Sequence, residues 1–244
     1  MRKPNDAPKF IQVNGEPLPY RVEQRSVRYP RLEFKTEELL VILPKGWKDE
    51  THLLEEKKDW IFKKHSEIKS AMERLRAGMK NQSSLPIFGD FFELRPSSSL
   101  VVDLERRIID CDLNDASQLS RLASILKKML SRELREAAEH YGKRFGVSFK
   151  RICVKRHRSK WGSCSYRGNL NFNLWLVCLP KELVWYLACH EVAHLKEKGH
   201  GRAFWALVRG EFENYKEMEK KLFGYWFFVQ EYSRVVFPSG KKLF

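Results

Sequence analysis

Residues 190–194 read His-Glu-Val-Ala-His, and this H-E-x-x-H pattern constrains the chain more than any other feature of its sequence. On a helix with 3.6 residues per turn, His190 and His194 differ by about 40° in direction, so both imidazoles can reach one zinc ion. Glu191 lies about 60° beyond His194 on the same side, where a carboxylate can hold a metal-bound water and accept its proton. The pattern therefore predicts a helix that carries a metal-dependent hydrolytic site.

The residues around this pattern are apolar on nearly every side of the expected helix, residues 182–197. They are Leu183, Val184, Trp185, Leu187, Val192 and Leu195. A helix that is hydrophobic all round lies at the centre of a domain. Two histidines and a glutamate buried there without partners would be costly, whereas a metal ion and its water would satisfy them. Core histidines that hydrogen-bond to the backbone are the alternative interpretation.

A catalytic zinc ion takes three protein ligands and leaves one position for water, so the sequence should supply a third ligand. His200 lies six residues past His194 and follows Gly199, which can end the helix and let the chain turn back toward the metal. Cys164 is the rival, since a cysteine upstream of H-E-x-x-H resembles the arrangement in peptide deformylases. We favour His200 as the third ligand.

The composition predicts a folded protein of the reducing cytoplasm. Its 244 residues are 43% hydrophobic, far more than a disordered tail contains. The five cysteines are odd in number, and residues 1–15 are polar, with Pro4 and Pro8 in place of an export signal. The longest apolar runs fall well short of the roughly 20 residues that a membrane-spanning helix needs, so we expect no membrane insertion.

The spacing of apolar residues divides the chain into three parts. Residues 1–112 are predicted to be β-rich and to contain one long amphipathic helix at about residues 49–80. Residues 113–222 are predicted to form a compact α+β catalytic domain in which helices follow strands. Residues 223–244 are predicted to form an aromatic C-terminal extension. The expected fold class is therefore α+β.

Several short motifs accompany the H-E-x-x-H pattern. They are Lys160-Trp161-Gly162-Ser163-Cys164-Ser165, Gly168-Asn169-Leu170, Asn173, Pro180, Tyr186, His190-Glu191-x-x-His194-Leu195 and His200-x-x-x-Phe204-Trp205. Together they resemble the YgjP-like metallopeptidase family, a zincin group related to SprT-type proteins. The match is strong over about residues 117–220 and looser in the N-terminal part.

This resemblance implies a zincin-like metallopeptidase unit that acts on a peptide or protein substrate. It implies one Zn²⁺ ion held by His190, His194 and His200, with Glu191 as the catalytic residue. The favoured function is accordingly a zinc metallopeptidase that cleaves peptide bonds by Glu-assisted attack of zinc-bound water.

The spacing from His190 to His200 is also that of the metzincins, which we exclude. Their signature has a glycine three positions before the last histidine, where this chain has Glu197. The only later methionine, Met218, lies in a charged stretch and is expected at the surface, so the methionine turn is missing as well.

In zincins an edge strand beside the metal-binding helix commonly pairs with an extended substrate. Residues 169–175 are the candidate, because their alternation places Asn169, Asn171 and Asn173 on one polar face. These three asparagines are therefore predicted to bind substrate, although an ordinary half-exposed strand would show the same pattern.

The net charge of +15 raises the question of an anionic partner. Basic residues cluster on the helix expected at residues 117–140 and at residues 155–160, and both groups could contact phosphates. Charged helix faces usually just meet water, so a nucleic-acid partner is possible but not favoured. The alternative function is a DNA-associated, SprT-like zinc protein that acts on or binds proteins near nucleic acid.

Overall fold

The computed structural model describes residues 9–13, 15–35, 38–47, 49–77, 84–157 and 159–236, with the side chains of residues 231–236 left out of the description. Four predictions fall partly outside these residues. They concern the polar start at 1–8, the end of the long helix at 78–80, Arg158 in the second basic group, and 237–244 in the C-terminal extension. The chain divides into two compact units, Met1–Leu75 and Arg76–Phe244.

The first unit is built on a four-stranded mixed sheet. Its strands are β1 (Lys9–Val13), β2 (Glu16–Arg25), β3 (Arg31–Phe34) and β4 (Leu39–Pro44), in the order β1-β2-β4-β3. β4 is an inner strand, parallel to β2 and antiparallel to β3, and its continuous apolar run is buried. Strands covered on both faces read as such runs, which explains the sequence of β4.

The long helix predicted at residues 49–80 is two helices, α1 (Glu50–Glu56) and α2 (Lys58–Ala77). The Asp49 side chain caps α1 by accepting a hydrogen bond from the His52 N–H. Leu53 and Leu54 of α1 and Ile61 of α2 belong to the same core cluster as the apolar side chains of β4.

The second unit begins with a four-stranded sheet of β5 (Ser84–Ile87), β6 (Asp90–Arg95), β7 (Val101–Asp103) and β8 (Ile108–Asp110). The predicted N-terminal portion, residues 1–112, includes these strands, whereas the structure groups them with the second unit. The turn between β5 and β6 shows why. Phe88 N–H donates to Val177 O at 2.7 Å, and a Cβ built on Gly89 would lie 3.1 Å from Pro180 Cα.

The rest of this unit carries the predicted motifs. Its elements are α3 (Ala116–Phe145), β9 (Arg151–Lys155), β10 (Gly162–Cys164), β11 (Asn169–Asn173), a 3₁₀ helix (Leu174–Cys178), α4 (Lys181–Lys196), α5 (Arg202–Glu211) and α6 (Tyr215–Val236). The three strands form a sheet in the order β10-β11-β9. α4 packs against α3 on one side and against β10 on another. The α+β fold class is confirmed.

α6 differs from the prediction in two respects. It continues through the expected boundary at 222/223, and Phe227, Phe228 and Val229 are buried, so the aromatic segment is part of a packed helix as far as it is described. Met218, expected at the surface, is fully buried. Its charged neighbours occupy the other faces of the helix, as an amphipathic helix requires.

Among the described residues, no helix is long and apolar enough to span a membrane.

Candidate metal centre

Three histidines meet at the C-terminal end of α4. Helical spacing places His190 and His194 on one side of α4, and the loop between α4 and α5 returns His200 to them. His200 Nε2 lies 3.1 Å from His190 Nε2 and 3.1 Å from His194 Nε2. Within the described ranges, these three residues are the only group of three or more His, Cys, Asp or Glu side chains that could hold a metal ion.

The nitrogen chemistry of this cluster fits a cation. His194 Nδ1 lies 3.0 Å from Glu197 O, so Nδ1 carries the proton that it donates to this carbonyl, and Nε2 of the neutral ring is a bare acceptor. One proton on His200 Nε2 cannot satisfy the two neighbouring nitrogens at once. Tetrahedral zinc with Zn–N bonds of about 2.0–2.1 Å requires nitrogens roughly 3.3 Å apart, close to the observed separation.

α5 holds the imidazoles in place through two aromatic residues that follow His200. Phe204 is fully buried, and its ring centroid lies 4.5 Å from that of His194, 4.9 Å from His190 and 4.7 Å from His200. Trp205 stacks on His200 with 29° between the ring planes. The three rings are therefore fixed by packing as well as by their own helix.

Burial keeps the imidazoles of His190 and His194 neutral. It lowers the pKa of His190 to about 3, with smaller contributions from His194 and His200, and it also lowers the pKa of His194. Desolvation disfavours the charged form of a histidine, and a metal ligand must be unprotonated. These two histidines are thus in the ligand-competent form at neutral pH.

Glu191 is held against the backbone of β10. Its side chain is 5% exposed, and a Cβ built on Gly162 would lie 2.6 Å from Glu191 Oε1. Burial raises the pKa of Glu191 to about 8, opposed by the charge of Lys160 and by a hydrogen bond from the Cys164 backbone N–H. The carboxylate is therefore oriented by a hydrogen bond from β10, while its Oε2 is buried and has no partner among the described residues.

Comparison with known families decides the assignment. The sequence model of the YgjP-like metallopeptidase domain matches residues 28–224. The chain belongs to the YgjP-like metallopeptidase family. Metallopeptidases use a divalent metal to act on peptide or protein substrates, so this chain is a metal-dependent peptidase. The family resemblance predicted from the motifs is confirmed.

Two solved structures are similar to part of this YgjP-like chain. The metallopeptidase zymogen of Pyrococcus abyssi abylysin is 24% identical, covers 36% of this chain and 90% of its own, and gives a TM-score of 0.35. The metallopeptidase zymogen of Methanocaldococcus jannaschii jannalysin is 24% identical, covers 40% and 95%, and gives a TM-score of 0.34. Comparison with curated proteins gives no match.

The prediction that residues 169–175 form an edge strand is wrong. β11 lies between β10 and β9, so both of its edges are already paired. Asn173 is fully buried, its Nδ2 donates to His157 O and Lys160 O, and its Oδ1 accepts from Trp175 N–H. These bonds fasten the segment that leads into β10.

The other two asparagines of β11 also make contacts with β10 or with the turn that joins it to β11. Asn171 Nδ2 lies 3.4 Å from Ser163 O, and the Asn169 backbone N–H donates to Ser165 Oγ at 3.0 Å. The prediction that these side chains bind substrate depended on an exposed strand edge, which β11 lacks.

Of the two candidates for the third ligand, the structure brings His200 to the pair on α4 and leaves Cys164 out of the group. Cys164 lies in β10, where burial raises the pKa of its thiol. Its contribution to the site is the backbone N–H that contacts Glu191.

One further residue lies beside the metal centre that no sequence pattern indicates, Glu219 of α6. Tyr186 OH donates to Glu219 Oε1 at 2.6 Å, and the same oxygen lies 3.8 Å from His190 Nδ1. Tyr186 is fully buried, and its hydroxyl is engaged by this carboxylate. Glu219 lies in a charged stretch where nothing distinguishes it from its neighbours.

Proposed function

We propose that this chain is a zinc peptidase whose ion is held by His190, His194 and His200 and whose general base is Glu191. The positions of three nitrogen atoms carry the proposal. The Nε2 atoms of His190 and His194 each lie 3.1 Å from Nε2 of His200. Three protein ligands leave a fourth position for water, as a catalytic zinc site requires. A closed structural site would need a fourth protein ligand, and the group contains three.

The bound ion would supply Lewis-acid chemistry that polarises a scissile carbonyl and acidifies a water molecule. Glu191 takes a proton from the attacking water at its carboxylate and returns it to the nitrogen of the leaving amine. The Cys164 N–H orients the carboxylate for this transfer. Burial raises the pKa of Glu191 to about 8, close to neutral pH, which suits a group that must both accept a proton and return it.

The substrate is proposed to pair with β10, the outer strand of its sheet. Trp161 O accepts from Asn173 N–H and Ser165 N–H donates to Asn169 O, so odd-numbered residues bond toward β11. In an antiparallel pair the intervening residues direct their backbone groups to the other edge. Gly162 and Cys164 therefore direct their backbone groups to the outer edge. The Cys164 N–H is used by Glu191, which leaves the backbone groups of Gly162 and the Cys164 carbonyl for an extended peptide that adds as a strand.

The nucleic-acid alternative receives no specific support from the described residues. Arg135 on α3 pairs with Glu139 at 3.8 Å, an ordinary surface pair. Lys160, in the second basic group, acts on Glu191 through its charge. We therefore retain the peptidase as the one proposed function.

Replacement of Glu191 by Gln tests the proposal. Gln keeps the shape of the side chain but cannot accept the proton, so we expect zinc content equal to that of the parent and no peptide hydrolysis. Glu197→Gln, at the C-terminal end of the same helix, is the matched control and should keep both. Metal analysis and a peptide-cleavage screen give the two readouts. Equal turnover by Glu191→Gln and the parent would exclude Glu191 as the base.

A further inference from the structure

A half-exposed carboxylate on α6 faces the buried side of a metal-binding imidazole. Glu219 Oε1 lies 3.8 Å from His190 Nδ1, on the opposite edge of the ring from the Nε2 that meets His200. Among the described residues, His190 Nδ1 is buried and has no hydrogen-bond partner. Glu219 is therefore the acidic group placed to accept a hydrogen bond from this nitrogen.

A histidine that binds a metal through Nε2 keeps its proton on Nδ1. That N–H is buried here, and a buried donor without an acceptor is costly. The separation of 3.8 Å is longer than a hydrogen bond, but the Glu219 side chain is 46% exposed and has room to rotate toward the ring. A movement of less than about one ångström closes the contact.

Tyr186 sets the position of this carboxylate. It lies one helical turn before His190 on α4 and donates its hydroxyl proton to Glu219 Oε1 at 2.6 Å. Because Tyr186 is fully buried, its hydroxyl is a fixed point from which Glu219 cannot move far.

α6 itself is fastened beside the site by a second contact. One turn after Glu219, Leu222 O accepts from Trp161 Nε1 at 3.2 Å, and Trp161 packs edge-to-face on Trp226 with ring centroids 5.0 Å apart. The backbone that carries Glu219 is therefore held on both α4 and the segment before β10.

We infer that Glu219 is a positioning residue that accepts the Nδ1–H of His190 and is itself oriented by Tyr186. This inference rests on the proposed function, because it takes His190 as a zinc ligand. A carboxylate on the far nitrogen fixes the tautomer and orientation of a ligating imidazole and raises its basicity.

The experiment measures zinc affinity of the full chain by competition with a chelator, without any peptide substrate. Glu219→Ala should weaken zinc binding by about 10- to 100-fold, and Glu219→Gln, which keeps the acceptor oxygen without the charge, by less. Glu217→Ala removes an exposed carboxylate from the same helix and should leave affinity unchanged. Cobalt bound in place of zinc should show a shifted visible spectrum in Glu219→Ala only.

A purely structural role makes a different prediction. If Glu219 were purely structural, its loss would lower the unfolding temperature of the metal-free protein and leave zinc affinity unchanged. If it positions His190, its loss weakens zinc affinity and leaves that unfolding temperature unchanged. Affinity of Glu219→Ala within twofold of the parent, or an equal loss in Glu217→Ala, overturns the inference. If Glu219→Ala does not fold, Tyr186→Phe decides, and unchanged affinity in that variant overturns it. If the parent binds no zinc, the proposed function fails instead.

Discussion

The contact between Gly162 and Glu191 allows the position of the base to be tested without touching it. A Cβ at residue 162 would lie 2.6 Å from Glu191 Oε1, 2.9 Å from Cγ and 3.0 Å from Cδ. Ordinary contacts to a Cβ begin at 3.4 Å, so Gly162→Ala must displace the carboxylate by about 0.8 Å. Glu191 is 5% exposed and has no solvent space to move into, so the displacement shifts it within the site.

A catalytic group misplaced by about one ångström can cost roughly 100-fold in rate, which corresponds to about 2.7 kcal/mol of transition-state stabilisation. We therefore expect Gly162→Ala to lower kcat/KM for a cleaved peptide by about 100-fold. Its zinc content should equal that of the parent, because the three histidines are not displaced.

Gly210→Ala on α5 is the matched control. A Cβ there meets nothing within 4 Å, so kcat/KM should stay at the parental value. Two results would refute the reasoning. If Gly162→Ala keeps full activity, the placement of Glu191 against β10 does not matter for catalysis. If zinc is lost in proportion to activity, β10 supports the ligands and not the base.

Three further predictions concern the ligands, their packing and the substrate. His200→Ala should lose bound zinc in metal analysis while Cys164→Ala keeps it, and the opposite order would make Cys164 the third ligand. Phe204→Ala removes a fully buried ring and should reduce the free energy of unfolding in urea by about 3–5 kcal/mol, whereas a loss below about 1 kcal/mol would mean that the ring is not a packing centre. N-methylation of a cleaved peptide at successive backbone amides should lower kcat/KM at alternate positions only, since every second amide faces a paired strand. A uniform effect would argue against pairing with β10.

Local spacing was sufficient to predict the centre of the site. The H-E-x-x-H pattern on an apolar helix placed His190 and His194 together because their geometry depends only on helical rise and twist. The choice of His200 over Cys164 required chemistry and family resemblance, since the loop that returns His200 has no periodic pattern.

Sheet order could not be predicted in the same way. The edge strand β10 is three residues long and begins with glycine, so it lacks the β-branched or aromatic run that marks a strand. Its existence depends on pairing with β11 and packing on α4, which are contacts between segments distant along the chain. The sequence pattern therefore favours the longer, alternating β11 as the outer strand, although β10 occupies that place.

Dependence on contacts between distant segments also explains why Glu219 is not among the predicted site residues. A carboxylate among many on a charged helix acquires a role only when α6 brings it to Tyr186, 33 residues earlier in the chain. No feature of the sequence near residue 219 predicts this contact with Tyr186.

The glycine at residue 162 has a consequence for selectivity. The space that a side chain would fill there is taken by Glu191, whose Oε1 would lie 2.6 Å from a Cβ. Any residue other than glycine at this position has to compete with the carboxylate for the same volume. Substitutions that change which peptides are cleaved, while leaving the chemistry intact, must therefore lie elsewhere in the chain.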